Sequence, residues 1–266
     1  MVKKLDRFFQ KAQIIIILII FSSLYAQETP SNPSVYLYNL GVKQFSASNY
    51  DSALVLFQKS IELDSSFARG YIGIGNITYI MGKIWNAEEY YLRAIACDTT
   101  IAETFINLGK IYNEAGDYPT SLSYLKKGLG ISPHNPSALL LAGMDYFFLE
   151  EDSAAESYYK KALQISPHLV DGWISLGLLY RVQGRLDEAE AVYRKAIVQK
   201  GNLAIAHYGL SCVLVKLGEN KKGLKELKMA LELDPNLVET FDKDRCFKTV
   251  KEEKAFKKLL RKRKED

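Results

Sequence analysis

Residues 173–196 read WISLGLLYRVQGRLDEAEAVYRKA. Apolar Trp173, Leu176 and Tyr180 recur at helical spacing, and Ala189, Tyr193 and Ala196 do so again further on. The stretch therefore reads as two helices. Gly184 lies between them, suited to the left-handed turn that ends a helix. Such a pair carries an apolar face that it cannot bury alone, so the fold depends on what lies on either side.

The same pattern lies on both sides. Glycines stand at Gly41, Gly75, Gly109, Gly143 and Gly177, each 34 residues from the last, and Ser211 takes the sixth place. Twelve residues after each comes a mostly small residue: Ala53, Ala87, Ser121, Ala155, Ala189 and Gly223. Four further on stand Phe57, Tyr91, Leu125, Tyr159, Tyr193 and Leu227. Pro133, Pro167 and Pro235 close three of the units, while Ser65, Thr99 and Gly201 hold that place in the others. Six units follow without insertion: 34–67, 68–101, 102–135, 136–169, 170–203 and 204–237. Small residues at the Gly and Ala places let the two helices of a pair approach closely. Stacking the pairs then buries the apolar faces.

The series Trp173, Leu176, Gly177, Tyr180, Ala189, Tyr193 and Ala196 resembles the tetratricopeptide repeat, in which Trp, Leu-Gly, Tyr, Ala, Phe and Pro recur in fixed phase. The sixth unit departs furthest, with His207 at the Trp place. The resemblance implies an all-α fold, a right-handed solenoid of stacked antiparallel helix pairs. It also implies that the first helices line a concave groove that binds peptides or partner helices. The family's groove places are the second, fifth, ninth, twelfth and thirteenth of each unit. Carried over, they make Tyr38, Phe45, Arg69, Tyr79, Lys110, Met144, Phe147, Phe148, Arg181, Tyr208 and Lys216 the candidate partner-binding residues. Aromatics and Met are typical anchors of interface cores, and Arg and Lys suit carboxylates at the rim. Tyr38 and Val42 stand where some relatives carry the Lys and Asn that grip a peptide's terminal carboxylate, so that specialised function is not expected.

Two of the three histidines sit in a repeated Ile-Ser-Pro-His, as His134 and His168. Both follow the closing Pro, which makes them parts of one joint built twice. A metal site needs further ligands, and no Cys, His or carboxylate cluster is placed to supply them. His207, at the Trp place of repeat six, is expected to be packed. Gly70-Tyr-Ile-Gly73-Ile-Gly75 lacks the order of a dinucleotide loop and has no preceding strand. No nucleophile–base pair or phosphate loop is evident, so no cofactor and no enzymatic activity are expected.

The amino terminus reads as an export signal over 1–26. Lys3, Lys4, Arg7 and Lys11 precede the apolar run from Ile14 to Phe21, and Ala26 suits the last residue before cleavage. An uncleaved anchor is the alternative, and 27–33 reads as a flexible lead. The chain is thus expected in the periplasm, in the cell envelope or secreted. Its net charge of +4 includes a basic tail, and no basic stripe points to nucleic acid. Membrane contact is expected only through an uncleaved amino terminus or that tail. After repeat six, Val238–Phe247 occupies the place of another first helix. Residues 250–263 then read as a capping helix with Val250, Phe256, Leu259 and Leu260 on one side. Together, 238–266 forms a cap and basic tail. Cys212 and Cys246 are 34 residues apart, in equivalent places on neighbouring first helices. Packed helix axes lie about 8–10 Å apart, whereas a disulfide needs Cα atoms within about 7 Å, so no bond is expected. The function expected is a non-enzymatic scaffold for a protein or peptide partner. A structural envelope component that stacks end to end, by weak self-association, is the alternative.

Overall fold

In a computed structural model of the chain, the described residues are 32–250, 252–257 and 259. The expected signal, the lead before Asn32 and the basic tail beyond residue 259 lie outside them, as does Leu260. Twelve helices fill the six repeats: α1 Pro33–Ser46, α2 Tyr50–Leu63, α3 Ala68–Ile80, α4 Ile84–Cys97, α5 Ala102–Glu114, α6 Tyr118–Ile131, α7 Pro136–Phe148, α8 Asp152–Ile165, α9 Val170–Val182, α10 Leu186–Gln199, α11 Ala204–Lys216 and α12 Asn220–Leu233. No strand occurs among the described residues. Three-residue turns join the helices of a repeat, and such short links force neighbouring helices to run antiparallel.

Each turn passes through the left-handed region at the same place. Gly82, Gly116, Gly184 and Gly218 have φ between 76° and 81°, while Ser48 and Glu150 adopt φ near 60° at the equivalent positions. In the first two joints, where Ser65 and Thr99 hold the Pro place, Asp64 Oδ1 accepts from the backbone and hydroxyl of Ser66, and Asp98 Oδ1 accepts likewise from Thr100. These bonds hold both carboxyls below their usual range. Helix starts are fixed similarly: Asn32, Asp117 and Asn135 each accept a backbone N–H three residues on, and Pro33, Pro119 and Pro136 need none.

The repeat glycines are contact points. A Cβ on Gly177 would lie 2.9 Å from the Tyr193 ring, and one on Gly209 would lie 2.4 Å from the same ring. Tyr193 is thus clasped between its own first helix and the next. Phe57 is held in the same way between Gly41 and Gly73, and Gly75 receives Tyr91. Each glycine of the Gly70–Gly75 stretch serves close packing, with Gly70 against Ile61.

The chain divides into two compact bodies between Thr104 and Phe105. In the first, Ala53, Phe57, Ile74 and Ile77 form a core that Tyr38, Phe45, Tyr50 and Tyr90 pack against. In the second, buried residues from Leu122 to Leu214 form consecutive clusters, and a terminal cluster joins repeat six to the segment after it.

That last segment departs from the sequence reading twice. The place of a seventh first helix holds only a seven-residue helix, α13 Leu237–Lys243, followed by a 3-10 turn at Arg245–Phe247. And Cys212 and Cys246 are bonded, with Cα atoms 5.6 Å apart. The expectation of no disulfide assumed two regular parallel-stacked helices. Because α13 ends at Lys243, the 3-10 turn brings Cys246 nearer α11 than a helix axis could come. Residues 254–257 are helical, with Val250 and Phe256 buried and Leu259 packed against the same cluster. No helix among the described residues is long and apolar enough to cross a membrane.

Candidate partner-binding face

In the first body, α1 and α3 bring Tyr38 and Arg69 together, with Glu103 from the start of α5. The Tyr38 ring packs on Phe57 and Phe67 at 5.4 and 5.5 Å. Burial and the Glu103 carboxylate push its hydroxyl above the usual range, while Arg69 opposes them. Asn76 donates to Glu103 (3.2 Å) and accepts from the Tyr91 hydroxyl (2.8 Å). Tyr79 is half-buried, and Phe45 lies edge-on to Tyr50 at the turn between α1 and α2. The result is a polar patch over an aromatic floor.

The second body presents a more apolar face. Met144 and Phe147 are half-buried against the core. Phe148 is 52% exposed and stacks on Tyr118, with ring centroids 4.8 Å apart and planes at 8°. On the following first helices, Val182 is 60% exposed and Ile205 50%. Lys110 and Lys216 are exposed. Arg181 is half-buried and engaged within the fold: its Nη1 donates to Cys212 Sγ at 3.3 Å, and it lies beside the Tyr193 hydroxyl.

Tyr208 is a correction. It stands at a groove place by sequence, yet it is 6% exposed, edge-on to Phe247 and donating to Asp244 Oδ2 (3.1 Å). Burial and then Asp244 push its hydroxyl above the usual range. The segment after repeat six covers it, together with Cys212 and Val215. Phase alone places a residue on a helix face without saying what lies over that face.

Sequence reasoning also missed a buried network behind the exposed aromatics. Asp145 is fully buried on α7. Asn113 donates to its Oδ1 at 2.7 Å, and Ser121 Oγ lies 2.6 Å from its Oδ2 and 2.8 Å from the Gly109 carbonyl. One hydroxyl hydrogen cannot serve both acceptors, whereas a proton on Asp145 Oδ2 makes both contacts favourable. Desolvation accordingly pushes the Asp145 carboxyl up to about 6, against the opposing bonds from Ser121 and Asn113. The sequence signal was Ser121, polar where Ala is usual.

The histidines fall where the repeat puts them. His168 meets Gln199 at 2.7 Å in its joint, and His207 is buried between Glu226 and the Gly201 carbonyl. Among the described residues the one group with metal-ligand proximity is Cys212, Asp244 and Cys246, whose two sulfurs are bonded to each other.

Family models of the tetratricopeptide repeat match residues 102–135, and 140–204 with 176–237. The chain is a tetratricopeptide-repeat protein. No curated protein matches it. Among solved structures, MamA is 25% identical with a TM-score of 0.56, over 65% of this chain and 94% of MamA. YrrB, described as a tetratricopeptide-repeat protein with an unusual peptide-binding site, is 21% identical with a TM-score of 0.58, over 70% and 96%. PilF of Pseudomonas aeruginosa is 18% identical with a TM-score of 0.68, over 84% and 98%. Tetratricopeptide-repeat folds are generally non-catalytic scaffolds for protein contact, and the family and these neighbours indicate a protein-interaction scaffold.

Proposed function

We propose that the protein is an exported scaffold that captures a peptide or helix of a partner protein on the first-helix face of repeats four and five. The observation that carries this reading is Phe148. A ring half open to solvent and stacked on a second aromatic, with Val182 exposed at the same place of the following first helix, is apolar exposure of the kind that marks a contact site. Lys110 and Lys216 suit a rim that meets carboxylates. The peptide-binding site named for YrrB is in keeping with this use of the fold.

The test is Phe148→Ala. Crosslinking and mass spectrometry in the native host identify the partner, and capture and denaturant melts are then measured on one mutant. Capture is expected to weaken by about 2 kcal/mol or more, the scale of an interface anchor. Loss of the Tyr118 stack should cost only about 0.5–1.5 kcal/mol of stability. Lost stability with unchanged capture per folded molecule would rule out Phe148 as an anchor. Export rests on the charged, apolar and Ala26 segments of the amino terminus. Sequencing of the native protein is expected to begin at Gln27; an intact Met1 in a membrane fraction makes the uncleaved anchor correct.

A further inference from the structure

Tyr208, Cys212 and Val215 hold the fifth, ninth and twelfth places of repeat six, and all three are buried in one cluster with Phe241, Cys246 and Phe247. The chain's own carboxy-terminal segment therefore sits where a partner would sit on the earlier repeats. The Cys212–Cys246 bond ties it down.

The two sulfurs share the Asp244 carboxylate, which lies within 4.8 Å of each, and differ in the guanidinium and in exposure. Cys212 is wholly buried, and the Arg181 guanidinium donates to its Sγ at 3.3 Å. Cys246 lies nearer the rim, 7% exposed, on a 3-10 turn whose start is capped by Asp244 Oδ1. The carboxylate does not set the two apart, whereas the guanidinium favours a thiolate on Cys212. In thiol–disulfide exchange the better-stabilised thiolate leaves faster, and the more accessible sulfur is attacked. Both preferences select the same direction.

We infer that Cys212–Cys246 is an exchange-reactive bond, opened by a dithiol reductant that attacks Cys246 and expels Cys212 as a thiolate held by Arg181. The reductant's thiolate bonds to Cys246 Sγ as the Cys212–Cys246 bond breaks, and the electron pair leaves on Cys212 Sγ. The reductant's second thiol gives its proton to water and attacks the reductant sulfur of the mixed disulfide. Cys246 then leaves as a thiolate and takes up a proton. The protein disulfide gains two electrons, and the dithiol becomes a disulfide. Opening the bond unties the segment from α11 and makes Tyr208 and Val215 accessible as further docking surface. That consequence rests on the proposed groove function; the exchange reaction does not.

The experiment uses the full chain with the exposed Cys97 changed to Ser. Glutathione is added in excess, the reaction is quenched in acid, and the adduct is mapped by peptide mass spectrometry. The adduct is expected on Cys246; an adduct on Cys212, or none at either sulfur, overturns the assignment. Reduction by dithiothreitol is then followed by thiol release. Arg181→Gln is expected to slow it on the order of tenfold, and Arg181→Lys to restore most of the rate, with helicity unchanged in both. Equal rates in folded Arg181→Gln overturn the role of Arg181. Should that variant fail to fold, the Arg181→Lys rate and the glutathione site of the parent decide. Partner capture is not measured here, so a failed groove reading leaves this result intact.

Discussion

Asp145 shows how one residue can carry a stability cost. Its carboxyl is pushed up to about 6 from an ordinary 3.8, so the folded state prefers the protonated form. The stability this supplies is complete below pH about 4 and is lost as pH rises through about 6. Asparagine has the shape and donor pattern of the protonated acid: its amide can donate to Ser121 Oγ while its carbonyl accepts from Asn113. Asp145→Asn is therefore expected to stabilise the protein at pH 8 by about 1–2 kcal/mol, and to flatten the pH dependence between 4 and 7. Urea midpoints across that range check it; a destabilised variant at pH 8 would mean that the ionised form is the better bonded one. Glu150 is a second case. Its φ of 61° falls where four other repeats use glycine. Left-handed backbone costs a residue with a Cβ about 1–2 kcal/mol, partly offset by the flexibility that glycine adds to the unfolded chain. Glu150→Gly should raise stability by about 0.5–1 kcal/mol, read as a higher melting midpoint; a lower one would show that the unfolded-state entropy outweighs the strain.

At the scale of helices, the fold is set by rings pressed against glycines. Tyr193 is gripped by Gly177 of its own repeat and Gly209 of the next, with distances that leave no room for a Cβ. A leucine at 177 must push the ring off both helices. Overpacking of this kind typically costs about 1–3 kcal/mol. Because one ring serves two interfaces, Gly177→Leu is expected to reach or exceed the upper end. Denaturant melts test it, and an unchanged midpoint would contradict the role of the ring as the wedge between α9 and α11. The same logic explains why repeat six can exchange its partners. Ser211 replaces the first-helix glycine and Gly223 replaces the small residue opposite, and Ser211 donates to the Gly223 carbonyl at 2.7 Å. The close approach survives because one of the two facing positions stays small.

On the scale of the described chain, the repeats are regular and the segment after the sixth is not. Terminal repeats of a stacked array need a solvent-compatible cap. Here Phe241, Phe247, Val250 and Phe256 turn inward against repeat six. This cap does more than shield an apolar end. It lies over three groove places and is bonded to one of them. With this cap in place, the proposed partner-binding face of the second body is confined to the repeats before the sixth, where Phe148 and Val182 lie open.

The 34-residue phase by itself determined the helix pairs, their turns and their packing glycines. Those features depend on residues near in sequence and on a contact that recurs identically in each repeat. Gly177 against Tyr193 could be read from either residue's place in the count. Which groove places are open could not be read this way. Tyr208 and Phe148 hold equivalent kinds of position, but one is covered by the segment after repeat six, and the other is half open to solvent beside Tyr118 and Phe147. Likewise, equal spacing made Cys212 and Cys246 look like points on two stacked helices, too far apart to bond. The early end of α13 cancelled that equivalence and brought them together. Periodic sequence encodes periodic contacts; where the period stops, only the packed chain decides which side chains meet.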